Sequence, residues 1–164
     1  MIWSILLLAL VTAERLGELA LARHNTSRLL AQGAVEHAPG HYVLIVALHT
    51  AWLVGLWPMA WNRSIDTAWL LVFVVLQGLR VWVLATLGPR WTTRIIVLPG
   101  APLVKKGPYR FLSHPNYVVV IGEIAVLPLV FGLSWFALIF SALNGAVLWI
   151  RIRAENAALR GQPI

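Results

Sequence analysis

The chain has 164 residues, of which 60% are hydrophobic, and its mean hydropathy is +0.80. Soluble domains average about 45–50% apolar residues, and the surplus here is gathered into runs of membrane-spanning length. The formal net charge is +7, which beside such runs favours contact with anionic lipid over binding of nucleic acid. The absence of cysteine excludes disulfides, iron–sulfur clusters and a thiol nucleophile.

A membrane-spanning helix needs roughly 20 apolar residues. By this criterion the chain contains five candidate membrane helices, the fourth and fifth of which are short. Their predicted bounds are Ile2–Ala22, Tyr42–Trp61, Thr67–Leu87, Asn116–Phe131 and Ser134–Ile152, with a polar continuation of the last helix to Leu159. Only Gly132 and Leu133 separate the last two helices, which predicts a tight helical hairpin. The expected fold is a single all-α integral membrane domain over residues 1–164.

Basic residues are concentrated in three segments that a five-helix topology places on one side of the membrane. These segments contain Arg23 and Arg28; Arg90, Arg94, Lys105, Lys106 and Arg110; and Arg151, Arg153 and Arg160. The opposite side carries only Arg63 and Asp66. Positively charged loops stay in the cytoplasm, so the predicted topology has the N-terminus outside and the C-terminus inside.

Several charged residues lie within the predicted membrane helices, where an unpaired charge is costly. Glu14 and Glu18 are four residues apart on one helix face, and Arg15 is three residues before Glu18. Arg80 and Glu123 carry opposite charges on different helices and are candidate partners. For Glu14, Arg15 and Glu18 two interpretations remain open: an internal ion pair with hydrogen bonds that lock this helix to its neighbours, or a role in lining a polar cavity.

The loop before the fourth predicted helix is basic and polar. Pro115 suits the first turn of that helix, where its missing N–H is not needed. His114 and Asn116 would lie at the helix start, whose free N–H groups favour an anion. Tyr109 and Tyr117 offer aromatic faces to a cation or an adenine ring. The alternative is an ordinary helix start with interfacial aromatic residues.

A second polar pair lies at the end of the hairpin. Arg151 and Glu155 are four residues apart and share a face of the fifth predicted helix. Because the hairpin is expected to be antiparallel, this pair and His114 should lie at the same membrane face and converge. The alternative for this pair is an exposed ion pair on the helix surface.

The motifs between about Trp91 and Leu159 resemble the isoprenylcysteine carboxyl methyltransferase family. They are Leu103-Val104, Gly107-Pro108-Tyr109-Arg110, His114-Pro115-Asn116-Tyr117 and Arg151-x-x-x-Glu155. The resemblance implies S-adenosylmethionine as cofactor and S-adenosylhomocysteine as product. The implied cofactor contacts are Leu103, Val104, Tyr109, His114, Pro115, Asn116, Tyr117 and Glu155. Arg151 is implied to be the catalytic residue and to face the acceptor.

We expect the single domain to divide by role. Residues 1–87 would hold the first three helices and the acceptor side, where Glu14, Glu18 and Glu123 are candidate substrate contacts. Residues 88–164 would form a cytosolic cofactor pocket from a loop, the hairpin and the C-terminal helix. The expected partners are a lipophilic acceptor that enters from the bilayer and membrane lipids, with no nucleic acid and no metal; the oligomeric state is left open.

Three features of the sequence depart from the family pattern. Arg94 falls where the family often has a glutamine, and Asn156 replaces a second acidic residue. The longer C-terminal tail of the family does not follow Gly161. The first departure leaves the role of Arg94 open, and the last two bear on the acceptor pocket rather than on the cofactor site.

The first part of the chain resembles a bacterial branch encoded beside type III polyketide synthases. The resemblance lies in Arg15-Leu-Gly-Glu-Leu19, Ala22-Arg-His-Asn25, Gly33-Ala-Val-Glu36 and His41-Tyr42. That branch O-methylates long-chain alkylpyrones, which implies the bacterial inner membrane and a carboxylate or acidic hydroxyl as acceptor. Prenylcysteine carboxyl methylation and phospholipid N-methylation remain open, as do an NADPH-dependent reductase of the sterol type and a non-enzymatic membrane subunit.

Overall fold

The computed structural model describes residues 2–160, apart from the side chain of His41. Over this range the chain forms five α-helices. They are α1 (Ile2–Ala31), α2 (Gly40–Ala60), α3 (Thr67–Leu87), α4 (Pro115–Val130) and α5 (Ser134–Leu159). The predicted all-α class is confirmed, and so are the hairpin of α4 and α5 and the continuation of the last helix to Leu159. The departure expected at Gly161 lies outside the described residues.

The lengths and compositions of these helices agree with an integral membrane protein. Within the described range α2, α3 and α5 are each long and apolar enough to cross a bilayer. Helix α4 is apolar but has only 16 residues. Helix α1 has 30 residues and carries three charged residues in its middle. The membrane class is therefore confirmed, while the count of five spans stays a prediction for α1 and α4.

The end of α1 corrects the sequence prediction, because the helix continues from Ala22 to Ala31. The reason is tertiary: the Asn25 amide is buried and donates to the Trp91 carbonyl at 2.9 Å. The helix then stops at Gly33, whose φ of 87° is left-handed. The Ala34 N–H donates to the Leu29 carbonyl, which is the closing bond of a Schellman motif.

A two-stranded ribbon was not predicted. Strand β1 (Val35–His37) pairs antiparallel with β2 (Ile95–Val97), and Glu36 lies opposite Ile96. Strands of three residues show too few alternations to be recognised from sequence. The ribbon ties the α1–α2 connection to the α3–α4 connection and so covers one end of the helices.

The core positions the hairpin. Helix α4 packs against both α3 and α5, and its inner face is buried at Ile124 and Leu127. Gly122 allows a close approach to α3, since a Cβ there would lie 2.7 Å from the side chain of Leu76. The turn between α4 and α5 passes through Gly132 at a φ of 69°. The start of α4 and the end of α5 are thereby held at the same end of the bundle.

Candidate functional site

A cavity of about 520 Å³ lies where the start of α4 meets the end of α5, and we call it the hairpin cavity. Its other walls are β2 and the loop that follows it. Eight of the sequence-predicted site residues line it: Leu103, Val104, Tyr109, His114, Asn116, Tyr117, Arg151 and Glu155. Pro115 is buried at the first position of α4. The volume falls within the roughly 300–1,000 Å³ of sites for small molecules.

Tyr109 is carried by a short 3-10 turn, Gly107–Arg110. Gly107 has a φ of 56°, and a Cβ there would collide with the side chain of Thr86. Both constraints require glycine and bring the turn against the end of α3. Burial, followed by the negative charge of Glu155, raises the pKa of Tyr109 above its ordinary value. The phenol therefore stays protonated and is available as a hydrogen-bond donor.

The first turn of α4 supplies three side chains to the cavity. The ring of His114 stacks on that of Tyr117, with centroids 5.2 Å apart. A ring nitrogen, Nε2, lies 3.0 Å from the amide oxygen of Asn156. Asn116 Oδ1 is buried and has no hydrogen-bond partner among residues 2–160. Since buried polar atoms are rarely left unpaired, this oxygen is an open acceptor position.

Tyr117 joins the two ends of the hairpin. Its hydroxyl accepts a hydrogen bond from Arg151 Nε at 2.8 Å and donates one to Glu155. Glu155 Oε2 also lies 3.8 Å from Nδ1 of His114. The expected convergence of the two polar clusters is confirmed. Arg151 is 7% exposed, and its Nη1 has no partner among the described residues. The site thus presents a buried, partly unpaired guanidinium.

Arg94 lies on the wall of the hairpin cavity, but its guanidinium already contacts two other residues, Glu36 and Tyr42. Its Nη1 donates to both carboxylate oxygens of Glu36 at 3.0 Å. Its guanidinium also lies 4.6 Å from the centroid of the Tyr42 ring. Sequence reasoning missed this contact because it depends on the unpredicted β1–β2 ribbon.

A second polar group, the charge cluster, lies within the helices and consists of Arg15, Glu18, Gln77, Arg80 and Glu123. Arg80 binds Glu123 at 2.6 Å and Glu18 at 2.5 Å. Arg15 binds the same two carboxylates, each at 3.0 Å. Gln77 donates to Glu123 at 2.8 Å. The predicted pairing of Arg80 with Glu123 is confirmed, and so is the ion pair between Arg15 and Glu18. The cluster fastens α1, α3 and α4 to one another.

The predicted substrate contacts Glu14, Glu18 and Glu123 belong to this part of the molecule. In the described structure none of them lines the hairpin cavity, so the structure separates them from Arg151. The physical reason is that Glu18 and Glu123 are held by Arg15 and Arg80. Glu14 Oε2 is buried without a hydrogen-bond partner in the described range. A substrate role for the three carboxylates stays a prediction.

Comparison with known proteins gives three matches. The sequence profile of the isoprenylcysteine carboxyl methyltransferase (ICMT) family matches residues 69–161. The uncharacterized protein YpbQ of Bacillus subtilis is 39% identical over 165 residues, which cover 98% of this chain and 97% of that protein. An uncharacterized protein of Haemophilus influenzae is 22% identical, over 92% and 91% of the two chains. No solved structure matches the chain.

Proposed function

Because the chain belongs to the isoprenylcysteine carboxyl methyltransferase family, we propose that it transfers a methyl group from S-adenosylmethionine to an oxygen of a lipophilic acceptor. Family membership makes it a membrane methyltransferase. The observation that supports the finer assignment is the junction at Tyr117, where Arg151 and Glu155 meet on the wall of the hairpin cavity.

The residues of the hairpin cavity fit the chemistry of S-adenosylmethionine. The open Asn116 Oδ1 is an acceptor for an amino group. The carboxylate of Glu155 suits the positively charged part of the cofactor, and the rings of Tyr109 and Tyr117 suit its adenine or its sulfonium. The backbone of Leu103 and Val104 would complete the wall around the cofactor. When bound, the cofactor supplies an electrophilic methyl group.

Arg151 would bind the acceptor. Its Nε is committed to Tyr117, whereas its Nη1 is free of partners in the described range and can donate to an acceptor oxygen. A carboxylate or an acidic enol is already ionised at neutral pH, so no strong general base is needed. The guanidinium would hold that oxygen in line for the displacement and would exclude water from it. Tyr117 is then a positioning residue for Arg151.

The acceptor class follows from the membrane setting. Exposed apolar side chains cover the outer faces of α2 and α3, at positions such as Val54, Leu71 and Val81. An acyl or prenyl tail would lie among such helices while its polar end reaches Arg151. We favour an alkylpyrone-like or prenylcysteine-like acceptor. The positive-inside rule would place the cavity at the cytosolic face of a bacterial inner membrane, where S-adenosylmethionine is available.

The test is calorimetric titration of the detergent-purified protein with S-adenosylhomocysteine, with NADPH as a second ligand. We expect S-adenosylhomocysteine to bind and NADPH not to bind. Loss of a charge-assisted hydrogen bond is worth roughly 1.5–3 kcal/mol, so Glu155→Gln should weaken binding by at least about tenfold. Asp66→Asn is the matched control, since Asp66 caps α3 away from the cavity and asparagine caps equally well. Binding of NADPH alone would overturn the proposal.

A further inference from the structure

A second cavity, of about 590 Å³, adjoins the hairpin cavity and is strongly basic. It lies between the last turn of α1, the end of α3 and the loop that precedes α4. Its lining contains no acidic residue. Four basic residues line it: Arg28, Arg90, Lys105 and Lys106. We call it the basic pocket.

The charges of the basic pocket are not neutralised by the protein. Among residues 2–160, Arg28, Lys105 and Lys106 take part in no salt bridge, and Arg90 donates only to the neutral Pro102 carbonyl at 2.7 Å. The ends of α1 and α3 contribute about half a negative charge each. Four full positive charges exceed this and leave a net charge of about +3. All four side chains are exposed, so they are accessible to an anion from outside the chain.

The surroundings of the basic pocket are those of a lipid headgroup. The pocket lies at the ends of membrane helices, and Leu103 on its wall is exposed. Trp82 is also exposed and lies one turn before the pocket-lining Thr86 on the same face of α3. Tryptophan is typical of the membrane interface. A phosphate held by the basic residues would therefore leave its acyl chains beside apolar side chains.

We propose that the basic pocket binds the phosphate headgroup of an anionic membrane phospholipid. The phosphate would accept hydrogen bonds from Arg28, Lys105 and Lys106, and the acyl chains would lie along α3. Because Leu103, Val104 and Lys105 line both cavities, a bound lipid would also steady one wall of the hairpin cavity.

Native mass spectrometry of the full-length protein in a neutral detergent tests this proposal. Dioleoyl phosphatidylglycerol and dioleoyl phosphatidylcholine are offered at equal concentration, and we expect retention of phosphatidylglycerol. Arg28 and Lys106 line only the basic pocket, so the double variant R28Q/K106Q leaves the hairpin cavity intact. At about 1 kcal/mol for each basic residue at a membrane surface, the variant should bind phosphatidylglycerol about 30-fold more weakly.

Two further variants distinguish loss of binding at the pocket from the effects of lower net charge and of misfolding. R63Q/R153Q removes the same charge at residues that line neither cavity and should retain phosphatidylglycerol as the wild type does. R28K/K106R keeps the charges and should also retain it. Equal retention of the two lipids by the wild type, or undiminished retention by R28Q/K106Q, would overturn the proposal.

A last arm distinguishes a lipid from a free anion. Inorganic phosphate is titrated into lipid-free protein by calorimetry, and weak binding relative to phosphatidylglycerol is the expected result. Phosphate binding that is as tight as phosphatidylglycerol binding, and is lost in R28Q/K106Q, would assign the pocket to a soluble anion and not to a lipid.

Discussion

The hairpin cavity and the charge cluster both contain buried arginine and glutamate side chains, but the hydrogen-bond donors of their arginines are paired differently. In the charge cluster each guanidinium binds two carboxylates, and Arg80 and Arg15 share Glu18 and Glu123. In the hairpin cavity Arg151 contacts a single hydroxyl and keeps a buried Nη1 without a partner in the described range. The first arrangement joins helices; the second leaves a donor for a ligand.

This difference has an energetic basis. A buried charge is tolerated when hydrogen bonds surround it, and it is expensive when one partner is missing. A buried donor without a partner costs about 1–3 kcal/mol, and where that donor lines a cavity, as Arg151 does, binding of a ligand can offset the cost. Among residues 2–160, Glu14 Oε2, Trp52 Nε1 and Asn144 Oδ1 are also buried without a partner, and they lie outside the hairpin cavity. A missing partner therefore indicates a ligand position only for an atom that lines a cavity.

The largest effect is expected from Arg80→Gln. The change leaves Glu18 and Glu123 with one arginine between them, and breaking a buried pair costs about 3–5 kcal/mol. The free energy of unfolding in detergent should fall by that amount, while the fraction that remains folded still binds S-adenosylhomocysteine. Thermal unfolding and calorimetry on the same preparation measure both quantities.

A double variant checks the origin of that loss. Adding Glu123→Gln to Arg80→Gln removes the uncompensated carboxylate, so the double variant should be more stable than Arg80→Gln alone. Wild-type stability of Arg80→Gln, with loss of ligand binding instead, would mean that the charge cluster belongs to the binding site.

The next effect concerns activity. Arg151→Gln removes the donor proposed for the acceptor oxygen, and loss of such a donor costs about 10²–10³ in kcat. The affinity for S-adenosylhomocysteine should stay near that of the wild type, because Glu155 and Asn116 are retained. Transfer of a labelled methyl group to an alkylpyrone or prenylcysteine acceptor measures kcat.

The matched control for that experiment is Arg153→Gln, two residues further along α5. Arg153 lies over the Trp149 ring and lines neither cavity, so its loss should leave kcat unchanged. Full activity of Arg151→Gln would remove Arg151 from the mechanism.

Much of the fold could be predicted because membrane helices are long and their signal is strong. The bounds of α3 agree with the prediction, and α2 and α4 differ from it by one or two residues. The meeting of Arg151 with the start of α4 could also be predicted, because an antiparallel hairpin with a short connection returns the chain to the same end of the bundle. Local spacing and topology together were sufficient for this part of the site.

What could not be predicted depends on contacts between distant segments. The last turns of α1 form because Asn25 finds a partner at Trp91, far along the chain. The β1–β2 ribbon has too few residues to show a period. Sequence indicated that Arg80 and Glu123 could pair, but the spacing of residues does not show that Arg15 and Glu18 complete the same cluster. The separation of this cluster from Arg151 depends on how α1, α3 and α4 pack, which the spacing of residues does not show.

The smallest effect is expected from Glu36→Gln, which breaks the ion pair between Arg94 and Glu36. The Arg94 and Glu36 side chains are 41% and 21% exposed, and exposed pairs are worth about 0–1 kcal/mol. The free energy of unfolding should therefore change by less than about 1 kcal/mol, and the released Arg94 should leave S-adenosylhomocysteine affinity nearly unchanged. A tenfold loss of affinity at unchanged stability would instead show that the bifurcated hydrogen bond from Arg94 Nη1 to Glu36 holds Arg94 in place as part of the cofactor wall. At the β1–β2 ribbon a paired charge would then contribute to ligand binding, contrary to the rule that paired charges stabilise the fold and unpaired groups bind.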